Sequence, residues 1–105
     1  MPKYLLIGSY TEEGLKGLLK QGGSKRKEAA KQLAESVGGT LEALYFALGD
    51  NDFYEIVDLP SNVSVSAASL VTNASGALKL KTIVLLTPEE VDQAVKEAVE
   101  YRAPG

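Results

Sequence analysis

The segment that most constrains the fold is Tyr45–Pro60. Two runs of apolar and aromatic residues, Tyr45–Leu48 and Phe53–Leu59, flank the short polar sequence Gly49–Asp52. Gly, Asp and Asn favour tight turns because they tolerate positive φ and hydrogen-bond to their own backbone. Apolar runs on both sides of such a turn predict a β-hairpin. We expect this hairpin in the middle of a sheet, with the rest of the chain packed around it.

Four segments have the pattern of strands. They are Lys3–Ser9, Thr40–Leu48, Asp52–Leu59 and Leu78–Leu86. In the second, strict alternation places one set of residues on one face and a second set on the other. The first set is Leu41, Ala43, Tyr45 and Ala47, and the second is Glu42, Leu44, Phe46 and Leu48. Since both sets are largely apolar, we expect both faces of the sheet to be covered.

The first helical region follows Thr11, which is a good N-cap residue. Gly22 and Gly23 are costly inside a helix, so they predict a break or kink there. Ser24 is expected to cap a second segment that runs to about Val37, and Gly38 ends it.

Two further helices are predicted. Asn62–Ala74 has an apolar stripe at helical spacing, which we expect to face the sheet. The stripe consists of Val63, Ala67, Leu70, Val71 and Ala74. The sequence Thr87–Glu90 combines a cap, a proline at the first helical position and a capping-box glutamate, so a last helix starts there.

The resulting order, β-α-β-β-α-β followed by an extra helix, predicts a single domain over residues 1–105 with an α+β, ferredoxin-like fold. Right-handed crossovers place both main helices on one face of a four-stranded antiparallel sheet. The last helix could cover part of the other face. Because that face is also apolar, we expect a second copy of the sheet to be its main cover, giving a homodimer or a higher homo-oligomer.

Composition excludes several classes of function. The net charge of −3 argues against a surface built to hold nucleic acid. The chain has no Cys and no His, which removes thiol chemistry, the commonest general base and the commonest metal ligand. We therefore expect no metal and no cofactor. The apolar run at the start is too short for a signal peptide or a membrane span, so the expected location is the cytoplasm, without membrane contact.

Five short sequences together resemble the GYD domain family. They are Pro2–Leu5, Gly22–Arg26, Gly49–Asp52, Leu80–Thr82 and Leu85–Glu90. The family consists of small bacterial proteins with a ferredoxin-like fold of the dimeric α+β barrel type, and the resemblance extends to about residue 95. Proteins related through this barrel include cofactor-free monooxygenases, isomerases, haem enzymes and ligand-binding regulators.

One departure from the family lies in the hairpin. The family is named after a Gly-Tyr-Asp signature, whereas the turn here reads Gly49-Asp50-Asn51-Asp52. Asn51 stands where the tyrosine is expected, so any chemistry of that tyrosine would be missing. In this turn, Asp50 and Asp52 are candidates for an acid pair, but we favour their role as turn formers.

Two other groups are candidate binding residues. Ser24, Lys25 and Arg26 start a helix after flexible glycines and could hold phosphate or carboxylate, although a solvent-exposed helix surface is the favoured interpretation. Tyr10, Tyr45, Tyr54 and Thr82 could line a cavity between sheet and helices and orient a small ligand. Arg26 could reach this cavity if the helix break turns it inward. Tyrosines are, however, more often core or interface residues.

The sequence thus favours an oligomeric binding or structural module that holds a small anionic or aromatic ligand. The alternative is a cofactor-independent enzyme of the oxygenase or isomerase type, with Tyr and Asp groups transferring protons in a buried pocket. The absence of His counts against the enzyme, although a carboxyl group whose pKa is raised by burial could substitute.

Overall fold

The computed structural model describes residues 1–105 and contains four strands and four helices. In chain order these are β1 (Lys3–Tyr10), α1 (Glu12–Gln21), α2 (Gly23–Ser36), β2 (Thr40–Phe46), β3 (Phe53–Asp58), α3 (Asn62–Ala74), β4 (Leu78–Leu85) and α4 (Pro88–Val95). The strands form one antiparallel sheet in the order β2-β3-β1-β4. The predicted α+β, ferredoxin-like fold is therefore confirmed.

The position of the hairpin in the sheet differs from the prediction. The β2–β3 hairpin forms one side of the sheet, and β2 is an edge strand. The cause is the connectivity, because two crossover connections insert β1 between β3 and β4. The central strands are therefore β1 and β3.

The core lies on one face of the sheet, beneath α2 and α3. It consists of Tyr4, Leu6, Ala34, Phe53, Val57, Leu59, Val65, Leu78 and Leu80. Phe53 lies directly across Gly8, where any Cβ would fall 2.0 Å from the phenyl ring. Only 13 of the 105 residues are buried in the single chain. A core this small leaves much apolar surface in contact with solvent.

A β-bulge in β2 changes which residues share a face. Leu41 pairs with Val57, but the next pairs are Ala43 with Ile56 and Leu44 with Glu55, so Glu42 is the extra residue. The bulge brings Leu41, Leu44 and Phe46 to the helix-covered face, and the predicted alternation is wrong beyond Leu41. Bulges of this kind are a common feature of sheet edges.

The predicted break between the first two helices is confirmed at Gly22, whose φ of 84° lies in the left-handed region that favours glycine. Ser24 is not the cap of α2, as we had expected. The helix starts one residue earlier, at Gly23, and the N-cap position belongs to Gly22 without a side-chain hydrogen bond. The left-handed turn at Gly22 therefore sets the start of α2.

The apolar stripe predicted to bury α3 instead faces solvent. Val63, Leu70 and Val71 are 78%, 71% and 68% exposed, whereas Val65 and Ala68 are buried. Hydrogen bonds at both ends of the helix determine this rotation. At the start, Tyr4 Oη donates to Asn62 Oδ1 at 2.7 Å. Near the end, the amide of Leu80 on the edge strand β4 donates to Asn73 Oδ1, also at 2.7 Å.

Helix α4 begins as predicted, with both hydrogen bonds of the Thr87–Glu90 capping box. It does not cover the open face of the sheet, because none of its residues is buried and it has no extensive contact with any strand. Residues 88–105 therefore project from the domain, and the radius of gyration is 16.5 Å, against about 13 Å for a compact chain of this length. None of the helices is long and apolar enough to cross a membrane.

Candidate functional site

The open face of the sheet has an apolar centre. On it, Leu5 of β1 pairs with Ile56 and Ile83, and Ile7 pairs with Tyr54. Tyr45 on β2 extends the patch beside Tyr54 and is itself exposed. No helix of the chain covers these side chains, so burying them requires another molecule.

Charged residues border this apolar centre. At one end, Lys3 Nζ donates to Glu42 Oε1 and to Asp58 Oδ1, each at 2.9 Å. These hydrogen bonds, first that of Asp58 and then that of Glu42, raise the pKa of Lys3. Lys79 and Lys81 lie on the same face toward the other end of the sheet. An apolar centre with a polar border is the usual composition of a protein interface.

A second candidate site lies between the sheet and the helices. Arg26, from the start of α2, lies beside Tyr10 at the end of β1, and the two residues line a cavity of about 140 Å³. Burial raises the pKa of Tyr10, while hydrogen bonding and the positive charge of Arg26 lower it. The side chain of Arg26 is half-buried at the wall of this cavity.

Glu55 of β3 lies near enough to Arg26 and Tyr10 for their charges to interact, although it does not line the cavity. The sequence analysis had not counted it among the candidates. It is 6% exposed, and burial raises its pKa to about 7, opposed only by the positive charge of Arg26. A carboxyl group that titrates near neutral pH can act as an acid or a base. One sequence feature could have identified Glu55 as a candidate. In β3 it is the only charged residue on the face that Phe53 and Val57 share.

The other predicted residues do not join this cluster. Tyr45 and Tyr54 lie on the open face of the sheet, so the prediction of one cavity shared with Tyr10 is wrong. Thr82 lies on the helix-covered face, in a shallow groove next to α3. Ser24 and Lys25 are exposed on α2 and do not line the cavity.

The hairpin turn between β2 and β3 is held against the end of β1. Asp52 Oδ2 accepts from the amide of Tyr10 at 2.7 Å, and the amide of Asp52 donates to the carbonyl of Gly8 at 2.8 Å. Asn51 Oδ1 accepts from Ser9 Oγ at 3.1 Å. Asp50 is exposed. The turn thus has a clear structural role, and no three acidic side chains meet there or elsewhere to hold a metal ion.

An open groove of about 350 Å³ runs between α1 and the end of β2. Its walls are the side chains of Leu15 and Leu19 on one side and of Phe46 and Leu48 on the other. All four of these residues are exposed. We refer to this feature as the α1 groove. It is a second apolar surface that the single chain leaves uncovered.

The fold and the uncovered sheet define a small α+β protein of the ferredoxin-like type. Residues 4–95 match the GYD domain, and the chain belongs to the GYD domain family.

One relative is a "Glutamine synthetase and cystathionine beta-lyase binding protein" from Thermus thermophilus. It is 28% identical over 83 residues, which cover 79% of this chain and 86% of the relative. Among solved structures, a protein of unknown function from Nitrosomonas europaea aligns over 98% of this chain and 96% of its own, with 16% identity and a TM-score of 0.42.

Proposed function

We propose that the chain is a protein-binding module that works as a homo-oligomer, with the open face of the sheet as the surface between copies. The observation that carries this proposal is the apolar centre around Leu5, Ile7 and Ile56, whose side chains stay partly exposed in a chain that buries only 13 of its 105 residues. Pairing two such faces would shield this apolar centre from water, which is the main driving force of association. It would also close the sheets into the barrel that is typical of relatives of this fold.

Two observations support a protein partner over a small ligand. The cavity beside Tyr10 and Arg26, at about 140 Å³, is below the roughly 300 Å³ at which small-molecule sites usually begin. The space at Glu55 is smaller still, about 10 Å³. In addition, the relative from Thermus thermophilus carries the name of a binding protein for two enzymes.

The self-association is tested by charging the centre of the open face. Ile7→Lys places a lysine next to Tyr54 and Lys81, so a paired sheet would have to bury an unpaired charge. Native mass spectrometry at micromolar concentration should show an oligomer for the parent chain and a monomer for this variant. Val63→Lys, on the exposed side of α3, is the matched control and should remain oligomeric. A monomeric parent chain would overturn the proposal.

Partner binding is tested directly with the two enzymes that the relative's name provides. Glutamine synthetase and cystathionine β-lyase from the source organism of this chain are immobilised in turn, and binding is followed by biolayer interferometry. Saturable binding of the parent chain to either enzyme supports the module, with bovine serum albumin as the control surface. Absence of binding to both enzymes would remove them as partners.

The cluster of Tyr10, Arg26 and Glu55 supports a second candidate function, cofactor-independent proton-transfer catalysis. The observation in its favour is Glu55, a buried carboxyl group with a pKa of about 7 beside a cation. In this function Glu55 accepts the proton and Arg26 stabilises the negative charge that develops on the substrate. Since Glu55 does not itself line the cavity, the substrate would have to extend from the cavity to this carboxyl group. It would be converted by the parent chain but not by Glu55→Gln, while Glu35→Gln on the exposed surface of α2 should leave turnover unchanged.

A further inference from the structure

The C-terminal arm, which we define as residues 88–105, is an amphipathic segment without a binding surface in its own chain. Its helix starts with a complete capping box, yet none of its residues is buried. Val91 and Val95 lie four residues apart on one side of α4, and Val99 follows at the same interval beyond the end of the helix. We call these three residues the valine stripe; they are 46%, 78% and 77% exposed. A stripe of this kind indicates a helix that packs against another surface.

The α1 groove is an apolar surface of the matching kind. Leu15 and Leu19 recur at the same spacing of four residues along α1, and Phe46 and Leu48 form the opposite wall. A single helix of small apolar side chains fits between two such walls, as in other helix-in-groove complexes.

The net charges of the arm and of the two helices beside the groove have opposite signs. The arm carries five acidic residues against two basic ones: Glu89, Glu90, Asp92, Glu97 and Glu100 against Lys96 and Arg102. Helices α1 and α2, which contribute Leu15, Leu19 and Gly23 to the groove, carry six basic residues and four acidic ones, and the carboxylate of Asp52 also lines the groove. The residues are Lys16, Lys20, Lys25, Arg26, Lys27 and Lys31 against Glu12, Glu13, Glu28 and Glu35. Opposite charges at the border steer two surfaces together and select the partner.

The positions of the two surfaces favour a second copy as the source of the arm. Strand β4 ends at Leu85, which pairs with Lys3 at the start of β1, so the arm leaves the sheet at that end. The α1 groove lies at the opposite end, where Phe46 pairs with Phe53 and β1 ends at Tyr10. The arm extends away from its own sheet, consistent with the longest dimension of the chain, 53 Å.

We propose that the arm of one copy binds in the α1 groove of a second copy, with the valine stripe against Leu15, Leu19, Phe46 and Leu48. This inference extends the proposed self-association to a different pair of surfaces. It also assigns a role to the basic residues of α2, which starts at Gly23 on the wall of the groove.

Disulfide cross-linking between two single-cysteine chains tests the proposal, since the natural chain has no cysteine. One chain carries Val95→Cys and the other carries Leu19→Cys, both at exposed positions. A disulfide requires Cβ atoms within about 4.5 Å, so it reports direct contact. Mixing the chains under mild oxidation should give the mixed disulfide, identified by mass spectrometry, in several-fold excess over the controls.

Two controls define the specificity. Gln93→Cys, on the opposite side of α4, replaces Val95→Cys in the first control. Leu70→Cys, exposed on α3, replaces Leu19→Cys in the second. Raising the salt concentration should reduce the yield of the mixed disulfide, because salt screens the charges at the border. Equal yields in the controls would overturn the proposal, as would the absence of the mixed disulfide.

A chain with both Val95→Cys and Leu19→Cys, diluted to low concentration, tests whether the arm reaches its own groove. An intramolecular disulfide under these conditions would overturn the exchange between copies. The arm exchange rests on the proposed pairing of the sheets, so Ile7→Lys, which removes that pairing, should abolish the mixed disulfide together with the oligomer. A different result would separate the two proposals. If Ile7→Lys loses the oligomer, but the Val95→Cys and Leu19→Cys chains form no mixed disulfide, the sheet interface stands and only the proposed binding of the arm is wrong.

Discussion

At the scale of single residues, Glu55 is the side chain whose pKa is raised far enough to reach the neutral range. It pairs with Leu6 and Leu44 in the sheet and is 6% exposed. Burial of a carboxylate in such surroundings disfavours the charged form, which is why the pKa rises to about 7. The nearby Arg26 weakens this effect without cancelling it.

We predict that Glu55 makes the domain less stable as the pH rises. The pKa is about 7 in the folded chain against 4.5 for an ordinary glutamate, so the folded state keeps a proton that the unfolded state releases. The free energy of unfolding therefore falls by up to about 3 kcal/mol between pH 4.5 and 7. Above pH 7 it levels off. Glu55→Gln should remove this slope and be more stable than the parent chain at pH 8, measured by urea unfolding across the pH range.

The control for Glu55→Gln is Glu35→Gln, at an exposed position on α2. This variant should keep the pH dependence of the parent chain. An unchanged slope in Glu55→Gln would show that Glu55 is charged in the folded protein at neutral pH.

We also predict that the two aspartates of the hairpin turn contribute unequally to stability. Asp52 accepts a hydrogen bond from the amide of Tyr10 at 2.7 Å, and a bond to a charged acceptor contributes about 1.5–3 kcal/mol. Asp52→Ala should therefore lower the free energy of unfolding by about this amount, whereas Asp50→Ala at the exposed position should leave it unchanged. Equal effects in chemical unfolding would contradict the structural role of Asp52.

At the scale of elements, α1 rests closely on the start of β4. The amide of Thr11 donates to the carbonyl of Ala77 at 3.0 Å, and Thr11 caps the helix through the amide of Gly14. A Cβ on Gly14 would fall 1.8 Å from that same carbonyl oxygen, whereas a Cβ on Gly17 would meet nothing within 4 Å. Glycine is thus required at one of these positions in α1 and not at the other.

This difference gives a matched pair of substitutions in one helix. Gly17→Ala should raise the free energy of unfolding by about 1 kcal/mol, because alanine loses less backbone entropy in a helix. Gly14→Ala should lower it by about 1–3 kcal/mol, because α1 has to move away from the backbone at Ala77. Thermal unfolding followed by circular dichroism measures both. An increase in stability for Gly14→Ala would mean that α1 is not held against β4.

The elements also show where the sequence was informative and where it was not. Local signals placed the break at Gly22 and the start of α4, because positive φ and capping depend on a few adjacent residues. The rotation of α3 did not follow from its apolar spacing. Asn62 and Asn73 fix it through Tyr4 and the backbone of Leu80, and these partners lie far away in the sequence. The bulge at Glu42 could not be predicted either, because it is defined by the pairing of β2 with residues of β3.

At the scale of the whole molecule, the sequence was sufficient for the fold class but not for the place of the hairpin in the sheet, and it was insufficient for the site. The order of strands and helices, with right-handed crossovers, leaves little choice beyond a ferredoxin-like sheet. The candidate site combines Tyr10, Arg26 and Glu55 from three elements, and no spacing along the chain indicates that these residues lie near one another. Tyr45 and Tyr54, which have the same residue type as Tyr10, lie on the opposite face of the sheet.

The small core leads to the last prediction, that thermal stability depends on protein concentration. If the open face around Ile7 is buried between copies, only the associated state has a core of ordinary size, and mass action then stabilises it. For a dimer, each tenfold increase in concentration contributes about 1.4 kcal/mol, which corresponds to a rise in Tm of roughly 5 °C or more for a domain of this size. Differential scanning calorimetry over a hundredfold range of concentration should show this rise for the parent chain and for Val63→Lys. Ile7→Lys should have a lower Tm that does not change with concentration. A constant Tm in the parent chain would contradict the prediction and would mean that the single chain is stable with its sheet face exposed to water.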